Sequence, residues 1–305
     1  MKALLLAAGL GTRLKPFTFS CAKAALPLLD LPFIHYPLQY LRAQGISEVV
    51  INLHAHPDTV RSAAGAACVD MKIHYSHEPE ILGTAGALWK AKDLLGEDPF
   101  VVLNGDMLCD IPLPEMLRRH QEFNSLVTLA IMDSNSFPNY SGLYFQDTQP
   151  PRLAGLQGPG KKWHYTGVQI VSPDVIQRIP PNRRSEIFKD VYPDLMASGR
   201  IAGFSYSGMW REIGSLKEYL QTSLDLIENP LPEHLRPAKM SCRTISTKAT
   251  VENGAVVEES IVMAGAVIRS GATVRRSIVG HDVVVTHDAT GVALARGITP
   301  WWIQP

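Results

Sequence analysis

The chain has 305 residues, 46% hydrophobic and 19% charged, a balance that suits a globular protein with ample core and excludes a disordered one. Its 29 basic residues cancel its 29 acidic ones, so no global field favours nucleic acid or an anionic membrane. Any anion must be met by a local patch, and the expected substrate is small. The cysteines, Cys21, Cys68, Cys109 and Cys242, show no C-x-x-C pair and no histidine at ligand spacing. This argues against a disulfide framework or structural zinc and fits a reducing cytoplasm. Met1 to Leu10 imitates a signal peptide, but the stretch is short and runs into Gly11-Thr12-Arg13 without a small-residue cleavage site. No apolar run of about 18 residues offers a bilayer span.

In chain order, Lys2 to Ala8 reads as a strand buried on both faces of a parallel sheet, because small and aliphatic residues are flanked by turn formers. Phe33 to Gly45 has helical spacing, and Ile46 to Leu53 reads as a second buried strand. Pro57 to Ala67 predicts a helix, Met71 to Ser76 a strand, and Ala85 to Leu95 a helix stopped by Gly96. Phe100 to Asp106 predicts a strand with a polar tip, and Leu126 to Ile131 another. Strands alternating with helices imply a doubly wound, Rossmann-like mixed sheet with ligands at the carboxyl ends of its strands. Asp133 to Gly160, rich in Pro, Gly, Asn and Ser, reads as a substrate-covering segment with a hairpin strand at Gly142 to Gln146. Trp163 to Val171 predicts a strand, Ser185 to Ala197 a helix and Ile201 to Tyr206 a strand. Pro230, Pro232 and Pro237 then punctuate a linker.

From Ile245 a six-residue period sets in, Ile245, Val251 and Val257 each being followed four positions on by Ala249, Ala255 or Ile261. After one missing residue the register resumes at Ile268, Val274 and Gly280, with Gly265-Ala266 and Gly271-Ala272 at corners. About seven such hexads match a short left-handed parallel β-helix of roughly two turns. It is expected to pack on the preceding domain or on another subunit, and a stack of exposed hairpins is the alternative. The expected organisation is an α/β domain over 1–228, a linker over 229–244, and the β-helix with its tail over 245–305.

The first strand delivers a glycine-rich loop with a fixed positive charge, which suits an anionic ligand: glycines let the backbone approach, and Arg13 offers a fork for phosphate oxygens. It is not the dinucleotide fingerprint, because Leu14 stands where a third glycine would, and no Gly-Lys-Ser/Thr gives a P-loop. The longer run Gly9-x-Gly11-Thr12-Arg13-Leu14-x-Pro16-x-Thr18, with Lys23 and Pro27, closely resembles the signature of the sugar-1-phosphate nucleotidyltransferases, the nucleotide-sugar pyrophosphorylases.

That resemblance implies a transferase joining a nucleoside triphosphate to a sugar 1-phosphate with Mg2+. Ala8, Gly9, Gly11 and Thr12 would cradle the triphosphate, Arg13 would meet its leaving phosphates, and Lys23 would stand near the α-phosphate. Where the family usually has proline before that lysine, this chain has Ala22, which is expected to loosen the turn. Asn104-Gly105-Asp106 matches the family's metal-binding tip, with Asp106 as ligand and Asn104 on the substrate side. Trp210-Arg211-Glu212-Ile213-Gly214-Ser215 resembles a later motif in which aspartate is common, so Glu212 reads either as a second metal ligand or as a structural acid, with Ser215 capping the next helix. Glu78 to Leu88 resembles the base-binding segment, giving Glu78, Gly83 and Thr84 to the nucleotide. Its Leu-Gly-Thr-Ala-Gly-Ala run is closer to the mannose-1-phosphate guanylyltransferase branch than to thymidylyl or uridylyl branches.

On the sugar side, Tyr165-Thr166-Gly167 matches the strand lining the family's sugar site. The usual Glu-Lys-Pro is missing, so Lys161 or Lys162 either substitutes for its lysine or lies in a basic loop facing solvent. The expected protein is a cytoplasmic enzyme, a homo-oligomer through its β-helix, with no nucleic acid or membrane partner. Two other readings stay open: a regulatory nucleotide-sugar-binding subunit, suggested by Ala22, Glu212 and the absent Glu-Lys-Pro, and an acyltransferase using His281 or His287 on the hexad coils.

Overall fold

The computed structural model describes residues 1–67 and 70–303, so Cys68 and the last two residues of the expected tail lie outside the described residues. The described residues fall into two compact units. One is drawn from residues 1–8, 40–54 and the described part of 69–210, the other from 9–39 and the described parts of 55–68 and 211–305.

The first unit is built on a nine-stranded mixed sheet. Its strands are β1 (Ala3–Leu6), β2 (Glu48–Leu53), β3 (Lys72–His77), β4 (Phe100–Asn104), β5 (Val127–Asp133), β6 (Gly142–Gln146), β7 (Arg152–Gly155), β8 (Lys161–Val171) and β9 (Ile201–Ser205). They lie in the order β3-β2-β1-β4-β8-β5-β9-β7-β6, with β6 also pairing with β8. β1 runs parallel to both neighbours, Leu4 standing opposite Val50 and Val102. Leu4 and Leu5 are fully buried, and each contributes about 2 kcal/mol by leaving water. From β4 to β8 the direction reverses, which makes the sheet mixed as expected.

Helix α1 (Gly83–Leu95) buries Ala85, Leu88, Ala91 and Leu95, a stripe at helical spacing, and ends at Gly96 with φ +84°. A second helix, α2 (Leu113–Glu122), has no counterpart among the expected elements; its buried residues are only Leu113, Met116 and His120 on an otherwise charged surface. The helix expected over Ser185 to Ala197 forms from Ile187 onward, as a π turn (Ile187–Val191) continued by the short α3 (Tyr192–Ala197), while Glu186 is extended. It starts two residues late because Ser185 and Glu186 bond to the start of α1, and Pro193, which lacks an N–H, suits the opening of α3. β7 was also hidden, in the segment rich in turn formers.

In the second unit the hexads form a parallel β-helix. Its strands are β10 (Thr250–Val251), β11 (Val256–Glu258), β12 (Ile261–Val262), β13 (Val267–Ile268), β14 (Thr273–Arg275), β15 (Ile278–Val279), β16 (Val284–Val285), β17 (Ala289–Thr290) and β18 (Val292–Leu294). They stack in three strips, β10-β13-β16, β11-β14-β17 and β12-β15-β18, and all stacked pairs are parallel, which removes the hairpin alternative. Ile268 and Val274 are fully buried between coils, whereas Val251 is 39% exposed because β10 ends its strip. Buried Ser260 and Ser277 stack with their strands, Ser277 N donating to Ser260 Oγ at 3.0 Å. A last strand, β19 (Trp301–Trp302), pairs antiparallel with β18. Among the described residues, no helix is long and apolar enough to cross a membrane.

Candidate active site

In the first unit, the carboxyl end of β1 is fixed by a residue that the sequence reading missed. Asn52, 4% exposed, accepts hydrogen bonds from Ala7 N (2.7 Å) and Ala8 N (3.3 Å) and donates to Glu78 Oε1 (2.9 Å). Glu78 Oε2 accepts in turn from Leu82 N at 3.0 Å. A buried polar relay thus runs from the end of β1 to the start of α1, and both oxygens of Glu78 are used inside the protein. The signal was there to read: an asparagine interrupting Val49-Val50-Ile51 in a buried strand must have partners.

The start of α1 is equally committed. Gly83 has φ +71°, and a Cβ there would lie 2.6 Å from Ser185 O. Ala85 N and Gly86 N donate to that carbonyl (3.0 and 3.3 Å), and the Thr84 hydroxyl donates to Glu186 Oε2 (3.3 Å) while accepting from Ile187 N (3.0 Å). Gly83 and Gly86 here make room for the segment 183–187.

At the tip of β4, Gly105 N donates to Leu6 O at 2.9 Å, and a Cβ on Gly105 would lie 2.6 Å from the same oxygen. Glycine is therefore needed for the strand end to sit this close, and it presents half-buried Asp106 next. Asn104 meets the Tyr165-Thr166-Gly167 strand: Gly167 has φ +82°, and its Cβ would strike Asn104 Nδ2 at 2.7 Å. β8 bulges here, since its register against β5 shifts between Tyr165 and Gln169. Thr166 is spent internally, its hydroxyl donating to Ala130 O (3.0 Å) and its carbonyl accepting from Trp210 Nε1 (2.7 Å). Burial pushes the Tyr165 phenol up. Lys161 lies over the Trp163 ring at 4.2 Å, and the stem of exposed Lys162 covers Gly142.

Beside them His164, 3% exposed, has neither ring nitrogen partnered. It stacks on Phe137 (4.5 Å) and meets Trp210 edge-on (4.3 Å), and burial holds it down at about 4.

In the second unit, the phosphate loop turns at Gly11, φ +60°, where a Cβ would lie 2.9 Å from Thr18 Cγ2 and 3.2 Å from Lys23 Cβ. Thr18 Oγ1 donates to Gly11 O at 2.9 Å, and Leu14 N donates to the same carbonyl, closing a single 3-10 turn over Thr12–Leu14. The loop is thereby set with Arg13 outward. Its guanidinium, 65% exposed, lies 3.5 Å from Glu212 and over Gly214, whose Cβ would strike Nη2 at 2.7 Å. Glu218 Oε2 accepts from Gly214 N (2.8 Å) while Ser215 Oγ accepts from Glu218 N (3.2 Å), a reciprocal cap on the helix Leu216–Glu228.

Ala22 does not loosen the turn before Lys23. Its φ of −63° suits proline, yet its N–H donates to Thr59 Oγ1 at 3.2 Å, a bond that proline could not make. His281 and His287 are exposed on the β-helix, bonded to Ala264 O and Thr286.

The model of the nucleotidyl transferase family matches residues 2–229, and that of the GlmU-like C-terminal hexapeptide matches residues 235–295. A mannose-1-phosphate guanyltransferase of Aspergillus oryzae is 31% identical over 229 residues, covering 72% of this chain and 62% of that protein. The mannose-1-phosphate guanylyltransferase catalytic subunit beta of Dictyostelium discoideum is also 31% identical, over 72% and 63%. The chain therefore spans less than two thirds of the length of these curated relatives. Among solved structures, HddC from Yersinia pseudotuberculosis superposes with a TM-score of 0.63 at 22% identity, over 74% of this chain and 99% of that one. A putative glucose-1-phosphate thymidylyltransferase from Bacillus anthracis gives 0.65 at 22%, over 77% and 98%. At these identities the two structures speak for the fold.

Proposed function

Since the chain belongs to the nucleotidyl transferase family, we propose that it couples a nucleoside triphosphate, GTP, to a sugar 1-phosphate, mannose 1-phosphate, releasing pyrophosphate. A phosphate oxygen of the sugar 1-phosphate attacks the α-phosphorus, a new P–O bond forms in line, and the bond to the bridging oxygen breaks, pyrophosphate taking the electron pair. No protein nucleophile is required, because the attacking oxygen is already anionic. The protein's work is to hold like charges together. The observation that carries the reading is the phosphate loop, in which Gly11 and Thr18 fix a turn that presents an exposed Arg13. Arg13 is given to the leaving phosphates and Lys23 to the α-phosphate.

The donor set fits magnesium. Asp106 is a hard oxygen donor, and among the described residues no group of three His, Cys, Asp or Glu could enclose an ion, so phosphate oxygens and water would complete its shell. When bound, the ion supplies charge neutralisation on the phosphates. Asp106 would hold it, and Glu212, now paired with Arg13, is the second carboxylate proposed.

The choice of GTP and mannose rests on the curated relatives. Thymidylyl or uridylyl transfer to a glucose-type 1-phosphate is the alternative. Assembly through the β-helix, whose first coil exposes Val251 and Val256, belongs to the same proposal, as does a cytoplasmic location. A second reading, a nucleotide-sugar-binding subunit without turnover, is favoured by one observation: the first N–H groups of α1 are already taken by Ser185 and Glu186. Phosphorus NMR of GTP and mannose 1-phosphate mixed with the protein and magnesium decides. Equal growth of GDP-mannose and pyrophosphate supports the enzyme; no product from the mixture, with the phosphorus signals of separately added GDP-mannose broadened by binding, supports the subunit.

A further inference from the structure

Within the first unit, two arginines meet at the end of the sheet away from Asp106. Val171 on β8 stands opposite both Phe100, which opens β4, and Val127, which opens β5, so the start of β5 lies one strand length, roughly 13 Å, from the tip of β4. β9 begins at the same end, with Ile201 opposite Val127. On β7, Arg152 faces Ala202 across an antiparallel pair. Arg200 comes two residues before Ala202, and its carbonyl already accepts from Leu126 N (2.9 Å) and Val127 N (3.2 Å). The pleat therefore carries both arginines to one face as diagonal neighbours, within reach of each other for side chains this long.

Only one of the two is anchored. Arg152 Nη1 donates to Ser125 Oγ at 2.8 Å and Nη2 to Phe123 O at 2.9 Å, just past the carboxyl end of α2. Among the described residues the Arg200 guanidinium donates no hydrogen bond and forms no ion pair, and its Nε is closed off from water without an acceptor. Arg152 has no carboxylate partner either, and burial together with the Arg200 charge holds it below the usual arginine value. Of the five N–H groups on each guanidinium, Arg152 spends two on the protein and Arg200 none.

Like charges side by side with a buried donor unmet are costly unless an anion joins them. Paired guanidinium forks match the oxygens of a tetrahedral dianion, phosphate above all, whereas a single carboxylate would leave half the charge unmatched. The Arg200 guanidinium, tied to no other group, can turn its Nε–Nη edge onto such an anion while Arg152 stays fixed. We propose that Arg152 and Arg200 form a second anion site, which takes a phosphate group, free or as a monoester, at the pole of the sheet remote from Asp106. Arg200 supplies the bidentate fork, and Arg152 the second charge, held in place by Ser125 and Phe123. The site does not depend on the proposed nucleotidyl transfer.

The test is calorimetric titration in a buffer without phosphate, using the Arg13→Gln protein so that binding at the phosphate loop is weakened. Inorganic phosphate, methyl phosphate and acetate are the probes. Inorganic phosphate should bind saturably and acetate should not. Adding Arg200→Gln should lower phosphate affinity about tenfold or more, as expected for losing a charged, bidentate contact. Methyl phosphate binding as tightly as the free ion extends the site to monoesters, and its failure to bind restricts the site to the free ion. Arg200→Gln gives up no bond to the protein, so without phosphate its melting temperature should equal or exceed that of wild type. Added phosphate should then raise the wild-type melting temperature more than that of the variant. Unchanged phosphate affinity on adding Arg200→Gln, acetate binding as tightly as phosphate, or an Arg200→Gln protein already less stable without phosphate overturns the site. Turnover, or its absence, bears on the proposed function alone.

Discussion

Exchanging the polarity of the Asn52–Glu78 pair should cost little, while changing either residue alone should cost much. Asn52→Asp keeps the acceptor used by Ala7 N and Ala8 N but sets a second carboxylate where an amide now donates to Glu78 at 2.9 Å. At an effective dielectric of about 20, two charges roughly 4 Å apart repel by about 4 kcal/mol. Glu78→Gln must serve Asn52 Nδ2 and Leu82 N with one acceptor, leaving a buried donor facing a donor, for about 1–3 kcal/mol. In the double variant, the new amide at position 78 donates to the new carboxylate at position 52 and accepts from Leu82 N, while that carboxylate still accepts from the end of β1. Every bond of the relay returns, and stability should lie within about 1 kcal/mol of wild type, a coupling of about 4–7 kcal/mol. Urea unfolding of the four proteins at neutral pH measures it. A double variant as unstable as the sum of the singles would show that the relay does not exist in solution.

Ala22→Pro, which restores the residue usual in the family, should change stability by less than about 1 kcal/mol, since a compatible φ gains what the lost bond to Thr59 gives up; urea midpoints check this. Gly167→Ala should destabilise by about 2 kcal/mol or more, because a Cβ at φ +82° meets Asn104 at 2.7 Å, and Asn104→Ala in the same chain should recover part of that loss. Burial holds His120 and His164 down to about 4, below the usual 6.5. The unfolded chain therefore binds more protons between those values. Stability should be flat above pH 6.5 and fall as pH drops from about 6.5 to about 4, by roughly 0.5–1 kcal/mol per pH unit for each histidine after allowance for solvent screening. Melting temperatures across that range should lose about half their slope in His164→Phe. Asp106→Asn should leave the melting temperature near wild type while abolishing turnover, and wild-type activity would place the metal elsewhere.

The alternation of apolar runs and helical stripes made the sheet and the β-helix legible, because both are repeating burial patterns. Even the hairpin strand at Gly142–Gln146 showed itself. α2 did not, since three buried positions among charged residues make a faint stripe. The helix expected from Ser185 begins at Ile187 because Ser185 and Glu186 bond to α1, a partner far away in the chain. At the site, glycines with positive φ and the Arg13 loop could be read from local sequence. The uses of Glu78 and Ala22 could not, because each depends on one distant side chain, Asn52 or Thr59.

The central claim is nucleotidyl transfer, and pyrophosphate release tests it most directly. With magnesium present, GTP, UTP, dTTP, CTP and ATP are each paired with mannose, glucose and N-acetylglucosamine 1-phosphates. Release confined to GTP with mannose 1-phosphate, and lost in Asp106→Asn, is the predicted result. Silence of the folded protein across every pairing would contradict it.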